Sequence, residues 1–405
     1  MMRPGFLLSE SQSRVEALQI AALAGLMVIG AAFVFSATMV SEAAAAAPWY
    51  SQSWFRQVAY YILGAAAATA VCLVDYRIWA RWSFVIYWVM ILLLVAVLIP
   101  GIGSMRFGAR RWIDLKFFQF QPSEFAKLAF VVALGHYLSR PVDELRELGT
   151  FVRSLGFMAL PFILIMKEPD LGSALVLLPA GLVMMFVAGT PRRYLIRLGI
   201  AVGLLGGLFL VDVLFAPPNW QVKLEDYQRR RLLVYFGIQP TAPAGASKAE
   251  QELLRRRQFD DSHNVRQALI SVGSGGLTGA GWRQGTQNSL GYLPRAVAHN
   301  DFIFSVIAEE KGFAGSVVVI TLYGVVLFTG IRIAGQARDR LGKIMAVGIV
   351  MIFFSHVFIN IGMNIRLMPV TGVPLPLLSY GGSSVLTSLI SIGMLQNIHI
   401  YRKAY

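Results

Sequence analysis

Apolar residues run along this chain in long blocks separated by short polar stretches. A bilayer-spanning helix needs about 20 predominantly apolar residues. Ten blocks approach that length: 16–40, 55–74, 83–100, 122–138, 152–167, 171–189, 194–214, 312–332, 344–364 and 375–398. The pattern predicts an all-α polytopic membrane protein of about ten transmembrane helices. Four blocks are less regular. The fourth carries Glu124 and Lys127, the fifth and sixth abut at Lys167–Asp170, and the tenth opens on prolines. One long interruption, residues 213–311, parts the seventh and eighth blocks. The chain 1–405 therefore reads as a single membrane domain with a large extracytoplasmic loop between helices 7 and 8.

Composition agrees. Hydrophobic residues make up 56% of the chain and charged ones only 14%, against about 25% charge in soluble domains. Mean hydropathy is +0.60. The single cysteine, Cys72, excludes an intrachain disulfide. The small-residue run Ala43–Ala47 resembles a signal-cleavage site. However, the apolar stretch before it, Val15–Val40, far exceeds the 7–15 residues of a signal core, so an uncleaved first span is expected.

Charge orients the helices. Short cytoplasmic loops collect Lys and Arg. Arg77 and Arg81, Arg140 and Arg146, Arg192, Arg193 and Arg197, and Arg338, Arg340 and Lys343 fall on alternate connections, with Arg402 and Lys403 at the end. The connection Ser41–Ser53 has none. Both termini are thus expected in the cytoplasm. This bias also accounts for part of the pI of about 10.1, and no nucleic-acid partner is needed to explain it. Two expected outer segments are basic nonetheless. Gly101–Phe120 holds Arg106, Arg110, Arg111 and Lys116 against Asp114. Residues 213–300 hold eleven Lys or Arg, including Arg229–Arg231 and Arg255–Arg257, against six Asp or Glu. A solvated loop, attraction to anionic headgroups, or a site for a phosphate-bearing substrate would each use such an excess.

Candidate chemistry gathers in a few places. In HNDFIFSVIAEEKGFAG (299–315), Asp301 heads an apolar run that Glu309 and Glu310 close. From Phe302 to Ile331 is thirty residues, about 45 Å of helix, too long for one span. A separate short helix over 301–310 is expected, turning into the membrane at Glu309–Lys311. Asp301 at its start could be an N-cap or a reactive carboxylate. Glu124 and Lys127 share a helix face and could pair. Asp170 in MKEPDLGSAL follows a helix-breaking Pro169 and could cap the next helix. His356 and Asn360 share a face suited to helix–helix hydrogen bonds. The glycine-rich stretch 271–294 would let backbone approach backbone or ligand, and its N–H groups could cradle phosphate. MPVTGVPLPLLSYGGSSV (368–385) sets prolines and glycines in an apolar context. Broken helix at that depth is tolerated where it lines a cavity or is buried in protein. No CxxC, HExxH or Walker A motif occurs, although clustered carboxylates could hold a divalent cation.

Five stretches together resemble the SEDS family (shape, elongation, division and sporulation), membrane glycosyltransferases that polymerise lipid II. They are ARRWIDLKFFQFQPSEFAKL (109–128), EPDLGSAL (168–175), ISVGSGGLTGAGWRQGTQNSLGYLP (270–294), HNDFIFSVIAEEKGFAGS (299–316) and NIGMNIRLMPVTGVPLPLLSYGGSS (360–384). GTQ, DFIF and PVTGVPLPLLSYGGSS lie closer to the elongation branch, RodA, than to the division branch, FtsW. The resemblance implies that Asp301 is the essential acid. It would act as general base on the acceptor sugar's 4-hydroxyl while undecaprenyl pyrophosphate leaves with inversion. It could instead hold Mg²⁺ or Mn²⁺. It further implies substrate-binding roles for Arg110, Arg111, Lys127 and Glu124, a site-shaping role for Asp170, weaker candidates in Arg283 and Ser379, and a class B penicillin-binding protein as partner. The chain departs from the family pattern at Asn300, at Arg366 and in the long charged segment 241–261. Two other classes fit the same broken helices: a precursor flippase or transporter, and a non-enzymatic scaffold for cell-wall enzymes.

Overall fold

In the computed structural model, residues 15–39, 48–106, 109–115, 118–215, 232–237, 263–293 and 297–403 are described. The expectations for Lys116, Arg229–Arg231, Arg255–Arg257 and residues 241–261 lie outside these. Among the described residues, ten long helices match the ten apolar blocks: α1 (Ala17–Thr38), α2 (Ser53–Cys72), α3 (Ser83–Leu98), α4 (Pro122–Leu138), α5 (Leu148–Lys167), α6 (Leu171–Ala188), α7 (Arg192–Phe215), α8 (Ile303–Gln336), α9 (Arg340–Asn364) and α10 (Gly382–Ile400). The protein is an all-α polytopic membrane protein. By length and apolarity alone, α1, α5, α6, α7, α8 and α9 qualify as spans. The shorter or more polar α2, α3, α4 and α10 are packed among them: α10 lies along α2, and α4 against α3, α6 and α9.

The helix boundaries follow from local chemistry. Asp170 caps α6, its carboxylate accepting from the Ser173 N–H at 3.2 Å. Asp339 caps α9 in the same way through the Gly342 N–H at 2.8 Å. The tenth block does not begin at 375. Pro369, Pro374 and Pro376 cannot continue a helix, Leu377 adopts φ 65°, and α10 starts only at Gly382. The long eighth helix is broken where a break was expected. Gly312, at φ 64° and ψ −160°, parts a short segment 303–311 from the span beyond it. That φ favours glycine, the residue without a Cβ penalty there.

One element was not predicted. The α3–α4 connection forms a small antiparallel sheet: β1 (Ser104–Arg106), β2 (Ala109–Asp114) and β3 (Gln119–Phe120). Ser104 pairs with Trp112 and Ile113 with Phe120. Its strands are too short to register against the helical pattern around them.

The core runs through α4, α6, α9 and α10. Phe130, Leu134, Leu177, Met184, Met345 and Leu395 are at most 1% exposed. Polar side chains in this layer are tied to backbone across the bundle. Asn397 donates to the Val71 and Val74 carbonyls at 2.7 and 2.6 Å, closing the end of α10 onto α2. Such bonds are the main polar adhesive between helices in lipid.

Candidate functional site

Asp301 precedes the first turn of α8. The capping residue of that helix is Phe302, so the N-cap reading of Asp301 does not hold. The backbone of Asp301 is instead fixed by its neighbours. Its N–H donates to the Val297 carbonyl at 3.0 Å. Its carbonyl accepts from the side-chain amides of Asn360 and Asn364 on α9, each at 3.1 Å. Ser305 orients the Asn364 amide by donating to its Oδ1 at 2.6 Å. The proline- and glycine-rich segment 368–381 holds the same turn from the other side. Ser379 Oγ donates to the Asn300 carbonyl at 2.6 Å and accepts from the Leu375 N–H at 2.8 Å. The Tyr380 N–H donates to the His299 carbonyl at 2.9 Å. Gly372, at φ 75°, faces the carboxylate: a Cβ there would stand 3.5 Å from Asp301 Oδ2.

Two chambers meet at this half-buried carboxylate. The larger, about 600 Å³, is lined by Arg56, Tyr60, Arg111, Trp112, Phe118 and Tyr380, among others. The smaller, about 160 Å³, is mostly apolar and among its described lining residues carries one cation, Arg366. Aromatic faces beside cations in the large chamber suit sugar rings and anions.

The candidate residues divide sharply. Arg111 reaches the large chamber, but it also clamps the α5–α6 break. Its Nε donates to the Glu168 carbonyl at 3.1 Å, an Nη bonds the Pro169 carbonyl, and Nη1 stands 4.0 Å from Asp170 Oδ1. Arg110, its neighbour on β2, lines neither chamber. Asp170 shapes the site as well as capping α6, accepting from Gln121 Nε2 at 3.2 Å and Ser123 Oγ at 3.4 Å. Glu124 and Lys127 form a fully buried pair at 2.6 Å, and Lys127 Nζ also donates to His356 Nε2 at 2.8 Å. An ammonium only donates, so His356 carries its proton on Nδ1 and donates it to the Pro374 carbonyl at 3.1 Å. The buried charge thus bears on the site through Pro374, which lines the large chamber.

Arg283 stands apart from both chambers, its guanidinium 5.5 Å above the Phe35 ring. The glycine-rich stretch approaches backbone, as expected. Ala280 and Gly281 N–H groups donate to the Glu309 and Glu310 carbonyls at 2.9 and 3.1 Å. Its cradling N–H groups face carboxylates of the chain itself. The Gln287 N–H donates to Glu309 Oε1 at 2.8 Å, and the Arg283 N–H to Glu310 Oε2 at 3.0 Å.

Arg56 and Tyr60 were missed. The signal was present: a lone arginine near the start of an apolar helix marks a functional position by default. Asn364 was missed too. It sits one turn beyond Asn360 on the same face, the spacing already noted for His356 and Asn360.

Glu168 has an unusual state. It is fully buried, and neither carboxyl oxygen has a hydrogen-bond partner. Burial, then repulsion from Asp170, push its pKa up to about 9 against the pull of Arg111. It is a neutral acid at pH 7. As for a metal, no three His, Cys, Asp or Glu converge among the described residues. Among the described residues, the side chains around Asp301 form no cage for a divalent cation.

The family model for cell cycle proteins of the FtsW, RodA and SpoVE type matches residues 16–404. Stage V sporulation protein E of Bacillus subtilis is 36% identical over 386 residues, 93% of this chain and 95% of that one. The peptidoglycan glycosyltransferase MrdB of Escherichia coli K12 is 34% identical over 350 residues, 86% of each chain. A chain from a peptidoglycan synthase complex that coordinates polymerization and crosslinking superposes with a TM-score of 0.75 at 26% identity, covering 96% of this chain and 99% of that one. The rod shape determining protein RodA of Thermus thermophilus gives 0.64 at 25% identity, covering 99% and 100%. With nearly its whole length matched and a bundle of the same shape, the chain belongs to the FtsW/RodA/SpoVE family.

Proposed function

We propose that this chain is an inverting peptidoglycan glycosyltransferase that polymerises lipid II at the outer face of the cytoplasmic membrane. The observation that carries this reading is the Asp301 carboxylate, rigidly backed and set where two chambers meet. Glycosyl transfer between two bulky lipid-linked sugars needs such a meeting point. The acceptor's 4-hydroxyl is a poor nucleophile. Asp301 takes its proton as the O4–C1 bond forms and the bond from C1 to the phosphate oxygen breaks. The electron pair leaves with undecaprenyl pyrophosphate, which needs no acid. One carboxylate therefore suffices for inversion, where glycoside hydrolysis uses two. Arg56 and Arg111 in the large chamber set positive charge against the anionic substrates.

Any divalent cation is assigned to the substrate's diphosphate rather than to a resident cage, and no step is routed through it. Both termini are placed in the cytoplasm on the arginine bias of alternate connections. A class B penicillin-binding protein is the partner that fits, since the synthase complex to which this chain is similar couples polymerization to crosslinking. The GTQ and DFIF motifs favour elongation duty. A fluorescent fusion at the sidewall supports that assignment, and one confined to the septum removes it.

The decisive experiment is glycan synthesis by the purified chain, with and without the partner, on lipid II in detergent. A flippase shows nothing where there are no compartments. Full activity of Asp301→Ala there would end the catalytic assignment.

A further inference from the structure

Arg366 occupies an unfavourable backbone position. Helix α9 ends in a hook: the Leu367 N–H donates to the Gly362 carbonyl at 2.7 Å and the Arg366 N–H to the Met363 carbonyl at 3.3 Å. That pattern calls for a left-handed residue at the hook, and glycine is the usual choice. Here the residue is arginine, at φ 59°. A cation favoured only by the helix C-terminus could sit anywhere in the last turn without that strain. The next residue is tied down from outside the bundle, the Tyr235 hydroxyl donating to the Leu367 carbonyl at 3.0 Å. The Arg366 side chain is exposed, enters no ion pair or hydrogen bond among the described residues, and lines the small chamber together with Asp301.

The rest of that chamber is instructive. Phe302, Met368, Pro369 and Val370 make an apolar wall, with Asn264 as a polar neighbour. At about 160 Å³ it is roughly a quarter the size of the large chamber. The large chamber, with four aromatic rings and about 600 Å³, has room for sugars. In an inverting transfer the nucleophile, C1 and the leaving oxygen lie in line. The base stands beside the nucleophile, where the two chambers meet, so the line can run from the large chamber into the small one. A chamber that adjoins the base, carries a cation and is walled by apolar side chains suits the junction between a diphosphate and its prenyl tether.

We infer that Arg366 binds the departing diphosphate in the small chamber, leaving the large chamber to the acceptor saccharide. This inference rests on the glycosyltransferase reading. Arg366 is a binding residue for the leaving group, and its fork of donors matches phosphate oxygens. Asp301 shares the chamber and repels the same anion. The arginine offsets that repulsion on entry, and the carboxylate hastens release afterwards.

The test uses the full-length purified protein, with inorganic pyrophosphate and farnesyl pyrophosphate as probes. Arg366→Gly suits the left-handed position and keeps the hook, so the variant is expected to unfold no earlier than wild type. Both probes should raise the unfolding temperature of wild type. The Arg366→Gly protein should need at least ten-fold more of either probe for the same shift. Arg366→Lys should fall between, and Asp301→Asn should respond at lower probe concentration than wild type. An Arg366→Gly response at the wild-type concentration overturns the inference, as does a folded wild type that responds to neither probe. Lipid II turnover is measured separately. If it is absent while the Arg366-dependent shift persists, the anion site stands and the glycosyltransferase reading falls.

Discussion

Asp301 and the pair Glu309–Glu310 sit at opposite ends of one short helical segment, yet they meet opposite fates. At the far end, Glu309 and Glu310 are 1% and 2% exposed. Their oxygens accept from Gln287, Arg283 and Ser36, the last at 2.5 Å. Those carboxylates are structural: they fold the glycine-rich stretch back onto the helix. At the near end Asn360 and Asn364 grip the backbone carbonyl of Asp301, and its side chain lines two chambers. Buried carboxylates whose oxygens hold neighbouring backbone are fasteners. Asp301 is half-buried and lines two chambers, within reach of a substrate.

That contrast can be broken by mutation. The largest effect is expected at Asp301. Asp301→Asn should lower lipid II polymerisation by roughly 10²–10⁴-fold, the range for losing a general base, with the unfolding temperature in detergent unchanged. A variant that loses stability and activity together would place Asp301 with the fasteners. Next comes Glu310→Ala, which strands the Ser36 hydroxyl and the Arg283 N–H. It should cost about 3 kcal/mol of stability, seen as early unfolding and low yield, with kcat preserved in whatever protein folds. Asn364→Ala should be milder, loosening the Asp301 carbonyl and lowering kcat about ten-fold with little change in KM.

The smallest effect on activity concerns Glu168. Its folded pKa of about 9 lies above its ordinary value of 4.5. Between those limits the native state keeps a proton that the unfolded chain releases. Stability therefore falls as pH rises through that window, by up to about 1.4 kcal/mol per unit, and levels off above it. Glu168→Gln should remove that contribution, so that the unfolding temperature falls less steeply between pH 5 and 9 than in wild type.

Much of this was legible in the residues. Ten apolar blocks gave ten helices, because apolar length is the main requirement lipid imposes. Pro169 with Asp170 and the thirty-residue run after Asp301 marked two breaks, because proline and excess length leave few alternatives. The small sheet in 104–120 was not legible, since its strands are too short for periodicity. Nor was the sorting of cations. Arg111 lines the large chamber and Arg110 does not, a tertiary difference that no spacing reveals. Lys127, a substrate-binding candidate by resemblance, is held by Glu124 and His356. The residues that grip the Asp301 carbonyl come from α9, 59 and 63 positions away, a tertiary fact invisible to local pattern.

The width of the large chamber has a price in fidelity. A cavity of about 600 Å³ with polar walls admits water, and water is a smaller nucleophile on which the proposed general base would also act. Should a donor's phosphate depart before a second saccharide seals the opening, the strand would end as a free reducing sugar. Strand length would then be governed by how long the opening stays plugged, so that a starved enzyme shortens its own product.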